Sequence, residues 1–174
     1  MGDKALIGII MGSKSDMDIM AEAAKVLDKF SVGYEVRITS AHRTPEVMTK
    51  YAVSAEERGL KVIIAGAGGS AHLPGMTASH TVLPVLAVPV KRAHHDHEAL
   101  DSSIKMPPGI PLATMPENGA KNAALMAIEI LALSDETLRK EYTEYKQDLK
   151  SAVVGDDEYL VANGWQRVLA DMEG

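Results

Sequence analysis

The sequence contains no cysteine, which removes disulfides, thiolate metal sites and thiol nucleophiles together and fits a reducing cytosol. Aromatic residues are scarce. One Trp, one Phe and five Tyr leave little with which to sandwich a flavin. Long apolar runs are missing too, since the stretch Val85–Val90 is far too short to span a bilayer. No block of Lys and Arg stands out and the formal net charge is −6, which argues against a nucleic-acid or anionic-membrane partner. An anionic small molecule would have to be held locally, by backbone amides and one or two placed cations. Met1-Gly2-Asp3-Lys4 runs straight into a strand-like stretch without the segments of a signal peptide, and Leu6 breaks a myristoylation motif. The expectation is a cytoplasmic protein.

What is present suits a globular enzyme-sized chain: 174 residues with 46% hydrophobic content can bury a real core. Apolar, β-branched runs alternate with helix-period stretches. Strands are expected at Ala5–Met11, Tyr34–Thr39, Lys61–Ala67, Val85–Val88 and Leu112–Met115. Between them, Asp16–Phe30 reads as an amphipathic helix, Pro45–Arg58 as a helix N-capped by Thr44, and Leu73–His80 as a short one. Helices are also expected at Ala120–Leu133, Asp135–Lys150 and Glu158–Met172. Repeated βα units with near-continuous apolar strands predict an α/β fold, a parallel sheet with helices on both faces. The expected organisation is one domain over 1–174, with an αβα core at 1–133 and a C-terminal helical extension at 134–174. Ligands of such sheets bind at the carboxyl ends of the strands, so those ends carry the functional reading.

The first strand ends in Gly12-Ser13-Lys14-Ser15-Asp16 and opens directly into a helix. Gly12 permits a tight turn, the serines offer hydroxyls, and free amides at a helix start favour a phosphate. Taken alone, the stretch is equally a serine-rich turn with a good N-cap. It is neither a Walker A loop nor a dinucleotide fingerprint. The second strand ends in Ser40-Ala41-His42-Arg43-Thr44-Pro45. Arg43 can clamp a phosphate or carboxylate, and His42 can move a proton near neutral pH. An isolated His-Arg pair is also compatible with a helix cap and a surface ion pair. The third strand ends in Ala65–Gly75, where three glycines, three alanines and a serine precede His72. So many small residues expose backbone amides and let a flat ligand lie close to the chain. Three consecutive loops with ligand-like chemistry on one edge are much harder to explain by packing than any one of them.

Together these three stretches resemble the bacterial-type, class I 5-(carboxyamino)imidazole ribonucleotide mutases of de novo purine synthesis. Met106-Pro107-Pro108-Gly109-Ile110-Pro111 and Lys121-Asn122-Ala123-Ala124-Leu125 add to the likeness, which runs over about residues 5–133. The resemblance implies a flavodoxin-like three-layer αβα fold, usually assembled as a homo-octamer with sites built by more than one subunit. It implies that Ser13, Asp16 and Arg43, with Gly12 and Ser15 in the same turn, hold the ribose phosphate end of a phosphoribosyl-aminoimidazole substrate. Ser40, Ala41, Gly68, Gly69, Ser70, His72 and Leu73 would surround the aminoimidazole and its carboxyl group, with His42 as general acid/base. The reaction implied moves a carboxylate from the exocyclic amine to the ring carbon, with no metal, nucleotide or biotin cofactor.

Between Val90 and Met106 the chain departs from the family, reading Lys91-Arg92-Ala93-His94-His95-Asp96-His97-Glu98-Ala99-Leu100-Asp101-Ser102-Ser103 where a small-residue loop is usual. A sister class that takes free carbon dioxide directly is shortened in a similar region, so a direct carboxylase stays open as the alternative. That class usually has Lys where this chain has Arg43. His94, His95 and His97 with Asp96 supply metal-ligating atoms, but near-consecutive residues rarely converge on one ion. The expectation there is no metal, and a solvated lid or an inter-subunit contact instead. A flavin carrier lacks its aromatics, a response regulator lacks acidic residues after the first strand, and a non-catalytic phosphate-binding module has no use for His42.

Overall fold

Five strands pair in parallel in the order β2-β1-β3-β4-β5: β1 (Ile7–Met11), β2 (Tyr34–Ile38), β3 (Val62–Gly68), β4 (Val85–Val90) and β5 (Ala113–Thr114). The structure is a computed structural model, and it describes residues 4–92 and 97–173. β1, β3 and β4 are buried along their whole length apart from Gly68, as apolar runs in a sheet covered on both faces must be. This is the flavodoxin-like order within a three-layer αβα architecture. It reverses direction at β1, because the chain first adds β2 on one side and then β3 on the other.

Helix α1 (Met17–Lys29) and helices α2 (Pro45–Ser54), α3 (His72–Ser79), α4 (Glu98–Ile104) and α5 (Ala120–Ala132) belong to the sheet-bearing part. Ile10, Ile63 and Ala65 share a core with Met48 and Tyr51 of α2 and Leu73 of α3. The sheet alternates, so the neighbouring residues face the other way. There a Cβ on Gly66 would collide with Met20 of α1, which explains why the strand dispenses with a side chain at that point. Gly8 likewise lies beneath the Tyr51 side chain. β2 forms one edge and leaves Val36 and Ile38 exposed.

The chain divides between Leu131 and Ala132 into two compact units. The second carries α6 (Glu136–Asn163) and α7 (Trp165–Glu173). Asp135 caps α6, its side chain accepting from Leu138 N at 3.0 Å. No described helix is long and apolar enough to cross a membrane.

The largest departures from the sequence reading are four. A 3₁₀ turn, Lys14–Asp16, precedes α1, so the first helix begins at Met17. α2 stops at Ser54, and the chain turns through Gly59 at φ 96°, a left-handed conformation natural to glycine. α4 was not expected at all. The C-terminal region does not break near residue 150. α6 runs through Gly155, whose cost of about 1 kcal/mol is small over 28 residues, and ends where Gly164 takes φ 74°.

Candidate active site

The ends of β1, β2, β3 and β4 lie side by side and wall a cleft of about 260 Å³. Its size lies near the lower end of the ~300–1,000 Å³ usual for small-molecule sites.

The first wall is the turn after β1. Gly12 N still donates to Gly66 O at 3.2 Å, extending the ladder one residue before the chain leaves the sheet. Ser13 then caps the 3₁₀ turn, its hydroxyl accepting from Ser15 N at 3.3 Å, and Asp16 N returns to Ser13 O at 3.1 Å. Asp16 is buried at the foot of this turn, whereas Ser15 is exposed.

The second wall is the Ser40–Thr44 turn after β2. Thr44 N donates to Ser40 O at 3.0 Å, and the Thr44 hydroxyl accepts from Ser40 N at 3.0 Å. Thr44 thus occupies the N-cap position of α2 without capping it through its side chain, because that hydroxyl closes the loop instead. The Ser40 hydroxyl in turn accepts from Arg43 N and Arg43 Nε, each at 3.2 Å. Arg43 Nη2 reaches over the sheet edge to the Gly12 carbonyl at 2.6 Å. One guanidinium therefore ties the β1 turn to the β2 turn and lies on the cleft wall.

The third wall is the loop from Ala67 to Leu73. Gly69 makes its turn at φ 60°. His72 is the first residue of α3, and its Nδ1 lies 2.9 Å from His42 Nε2, with the rings edge to face at 5.0 Å. Such a contact needs one N–H and one lone pair, so the two histidines have coupled tautomers. Ala71 N donates to the Ser102 hydroxyl of α4 at 2.9 Å, so the unexpected helix steadies this loop.

Every residue singled out from the sequence for this site lines the cleft, with the exception of Gly69. Gly69 shapes the loop without reaching the wall. Ala67 and Arg92 line it as well and were not anticipated. Arg92 follows β4 by two residues, and a cation just past a strand on the ligand edge is the signal that could have revealed it. The arrangement sets hydroxyls, a helix-like turn and a guanidinium beside a pair of imidazoles. Chemically, it can hold an anionic group and move a proton a few ångströms away.

His94, His95 and Asp96 lie outside the described residues. His97 Nδ1 sits 3.1 Å from Glu117 Oε1, and Lys91 Nζ lies 3.2 Å from the other oxygen, Oε2. Burial alone would raise the Glu117 carboxyl, but the facing His97 and Lys91 side chains outweigh it and hold the group below the usual carboxylate range. Among the described residues, no three His, Asp or Glu side chains gather as a metal set.

Residues 6–152 match the family described as AIR carboxylase. The chain is 50% identical over 170 residues to the N5-carboxyaminoimidazole ribonucleotide mutase of Pyrococcus horikoshii, covering 97% of this chain and 96% of that one. It is 47% identical over 168 residues to the mutase of the same name from Thermotoga maritima, covering 96% and 98%. Among solved structures it is similar to Treponema denticola PurE, with a TM-score of 0.81 and 31% identity over 90% of this chain and 98% of that one.

Proposed function

The chain belongs to the AIR carboxylase family, and on that premise we infer that it is an N5-carboxyaminoimidazole ribonucleotide mutase, an isomerase of purine biosynthesis. The reaction takes the carbamate on the exocyclic amine of the ribonucleotide and returns the carboxylate on the adjacent ring carbon, giving 4-carboxy-5-aminoimidazole ribonucleotide. The observation that carries this reading is the His42–His72 pair facing the same cleft as the Arg43-anchored turn.

The steps follow from that juxtaposition. The Ser13–Asp16 turn and Arg43 take the phosphoribosyl end, using amides, hydroxyls and a charge-assisted contact. The N–C bond of the carbamate breaks, carbon dioxide is released into the cleft, and the nitrogen gains a proton. The ring carbon of the freed aminoimidazole, an enamine, then attacks the trapped carbon dioxide and a C–C bond forms. His42 supplies the first proton and removes the one left on the ring carbon, so the protein ends unchanged and aromaticity returns. His72 orients the His42 ring through their shared hydrogen bond. Holding carbon dioxide beside its acceptor replaces a dilute encounter with an intramolecular one, an advantage that reaches ~7–11 kcal/mol in the best-oriented cases.

The working form is a cytoplasmic homo-octamer. Two features support more than one subunit per site: His42, Arg43 and His72 are exposed in the single chain, and the β2 edge carries Val36 and Ile38 to solvent.

Supplying carboxyl-labelled carbamate in a bath of unlabelled bicarbonate tests the reaction. Transfer within the cleft keeps most of the label in the product. Loss of the label to the bath, with a rate that follows dissolved carbon dioxide, would instead make the protein a direct carboxylase.

A further inference from the structure

The reaction above gives Arg92 nothing to do, yet its side chain lines the cleft. It leaves the end of β4 and crosses the end of β3, where Gly68 opens the way: a Cβ on Gly68 would lie 3.9 Å from Arg92 Cγ and 3.1 Å from the Val90 carbonyl. At the far side, Nη2 donates to Asp16 Oδ1 at 2.8 Å and to the Ser15 carbonyl, and Nη1 lies 3.7 Å from Asp18 Oδ2. Arg43 approaches the same turn from β2 and caps the Gly12 carbonyl. Two guanidinium groups, from strands on opposite sides of β1, thus hold the turn, one at the carbonyl before it and one at a carbonyl within it.

We propose that Arg92 is a positioning residue for the phosphate-bearing substrate, acting through Asp16 and the Ser13–Asp16 turn. The Asp16 side chain is only 7% exposed and lines the cleft that has to admit an anion. Unpaired, its charge would oppose a phosphate at close range and weak screening. Arg92 cancels that charge and leaves the carboxylate as an acceptor for sugar hydroxyls. Its grip on the Ser15 carbonyl fixes the turn that carries both serine hydroxyls. Both hydrogens of Nη2 are spent on protein oxygens, so that end of the side chain works through its neighbours. This role rests on the proposed reaction, which supplies the phosphate.

Steady-state kinetics of R92Q, R92K, D16N and D16N/R92Q on the carbamate provide the test. R92Q is expected to raise KM roughly tenfold to a hundredfold, the loss of one charge-assisted contact, with kcat within about threefold. R92K should recover only part of this, because an ammonium cannot grip two oxygens in a fixed fork. The double variant should lose less than the two single losses combined, since removing Asp16 removes the charge that needs cancelling. An unchanged KM in R92Q overturns the proposal. So do strictly additive variants, or a fall in kcat and melting temperature with KM intact. If the wild-type protein does not turn over the carbamate, the reaction assigned above falls, and ribose 5-phosphate binding by calorimetry decides Arg92. Binding roughly tenfold weaker in R92Q then supports the role. Equal binding, or none by either protein, removes it.

Discussion

His42 and His72 share a single hydrogen bond, so a proton taken up by one ring changes what the other can offer. In the proposed reaction His42 moves the protons and takes no part in gripping the phosphate. His42→Asn should therefore lower kcat by ~10²–10⁴ while KM stays within a few-fold, as loss of a general acid/base does. Initial-rate measurements decide it, and a variant retaining more than about a tenth of the activity would remove His42 from the mechanism. At this scale the site was legible where chemistry and position coincide in sequence. Ser13, Ser40, His42 and Arg43 each stand within five residues of a strand end, so their arrival on one edge follows from strand direction alone. Arg92 also stands there, but its partner Asp16 is 76 positions away, and no local pattern marks such a pair. Gly69 is the reverse case: its φ of 60° accounts for the residue type, and it shapes the loop without lining the cleft.

Elements were legible in proportion to how much apolar surface they bury. β1, β3 and α1 carry their periodicity openly. α4 does not, because its seven residues are anchored by Ala99 and Ser103, small and partly polar side chains that leave no hydrophobic stripe. Thr44 was placed correctly but not its hydrogen bond, since the hydroxyl serves the turn behind it. The start of α4 is in turn clasped to the loop before α5, where Glu117 meets both His97 and Lys91. The folded state holds the Glu117 carboxyl below its ordinary pKa, so its contribution to stability is complete above the unfolded value and is lost as pH falls through the folded one. Glu117→Gln should thus be less stable than wild type near neutrality, and the gap should close in acid. Denaturant unfolding of both proteins between about pH 7 and pH 3 measures this. A gap that stays constant across the range would show that the clasp contributes no charge-dependent stability.

The proposed assembly rests on features of the sheet as a whole. An edge strand with exposed Val36 and Ile38 is a surface that proteins ordinarily cover, and the cleft opens directly to solvent at His42, Arg43 and His72. Assembly into eight copies should appear as an eightfold mass in sedimentation velocity, with activity per chain falling when dilution splits the particle. A monomer of undiminished activity would show that one chain closes its own site. The proposed association cannot be derived from periodicity, because a half-exposed Val or Ile on an edge reads the same in a monomer. The strand order has a consequence for how the protein comes into being. A parallel sheet has no hairpins, and joining β1 to β3 sets Ile7 beside Val62, across more than fifty intervening positions. Each wall of the cleft arrives with a different strand, so a partly folded chain holds no complete binding site. A ligand can pull the folding equilibrium only once β1, β2 and β3 have all found one another, which makes it a stabiliser of the finished protein and useless as a template for the nascent one.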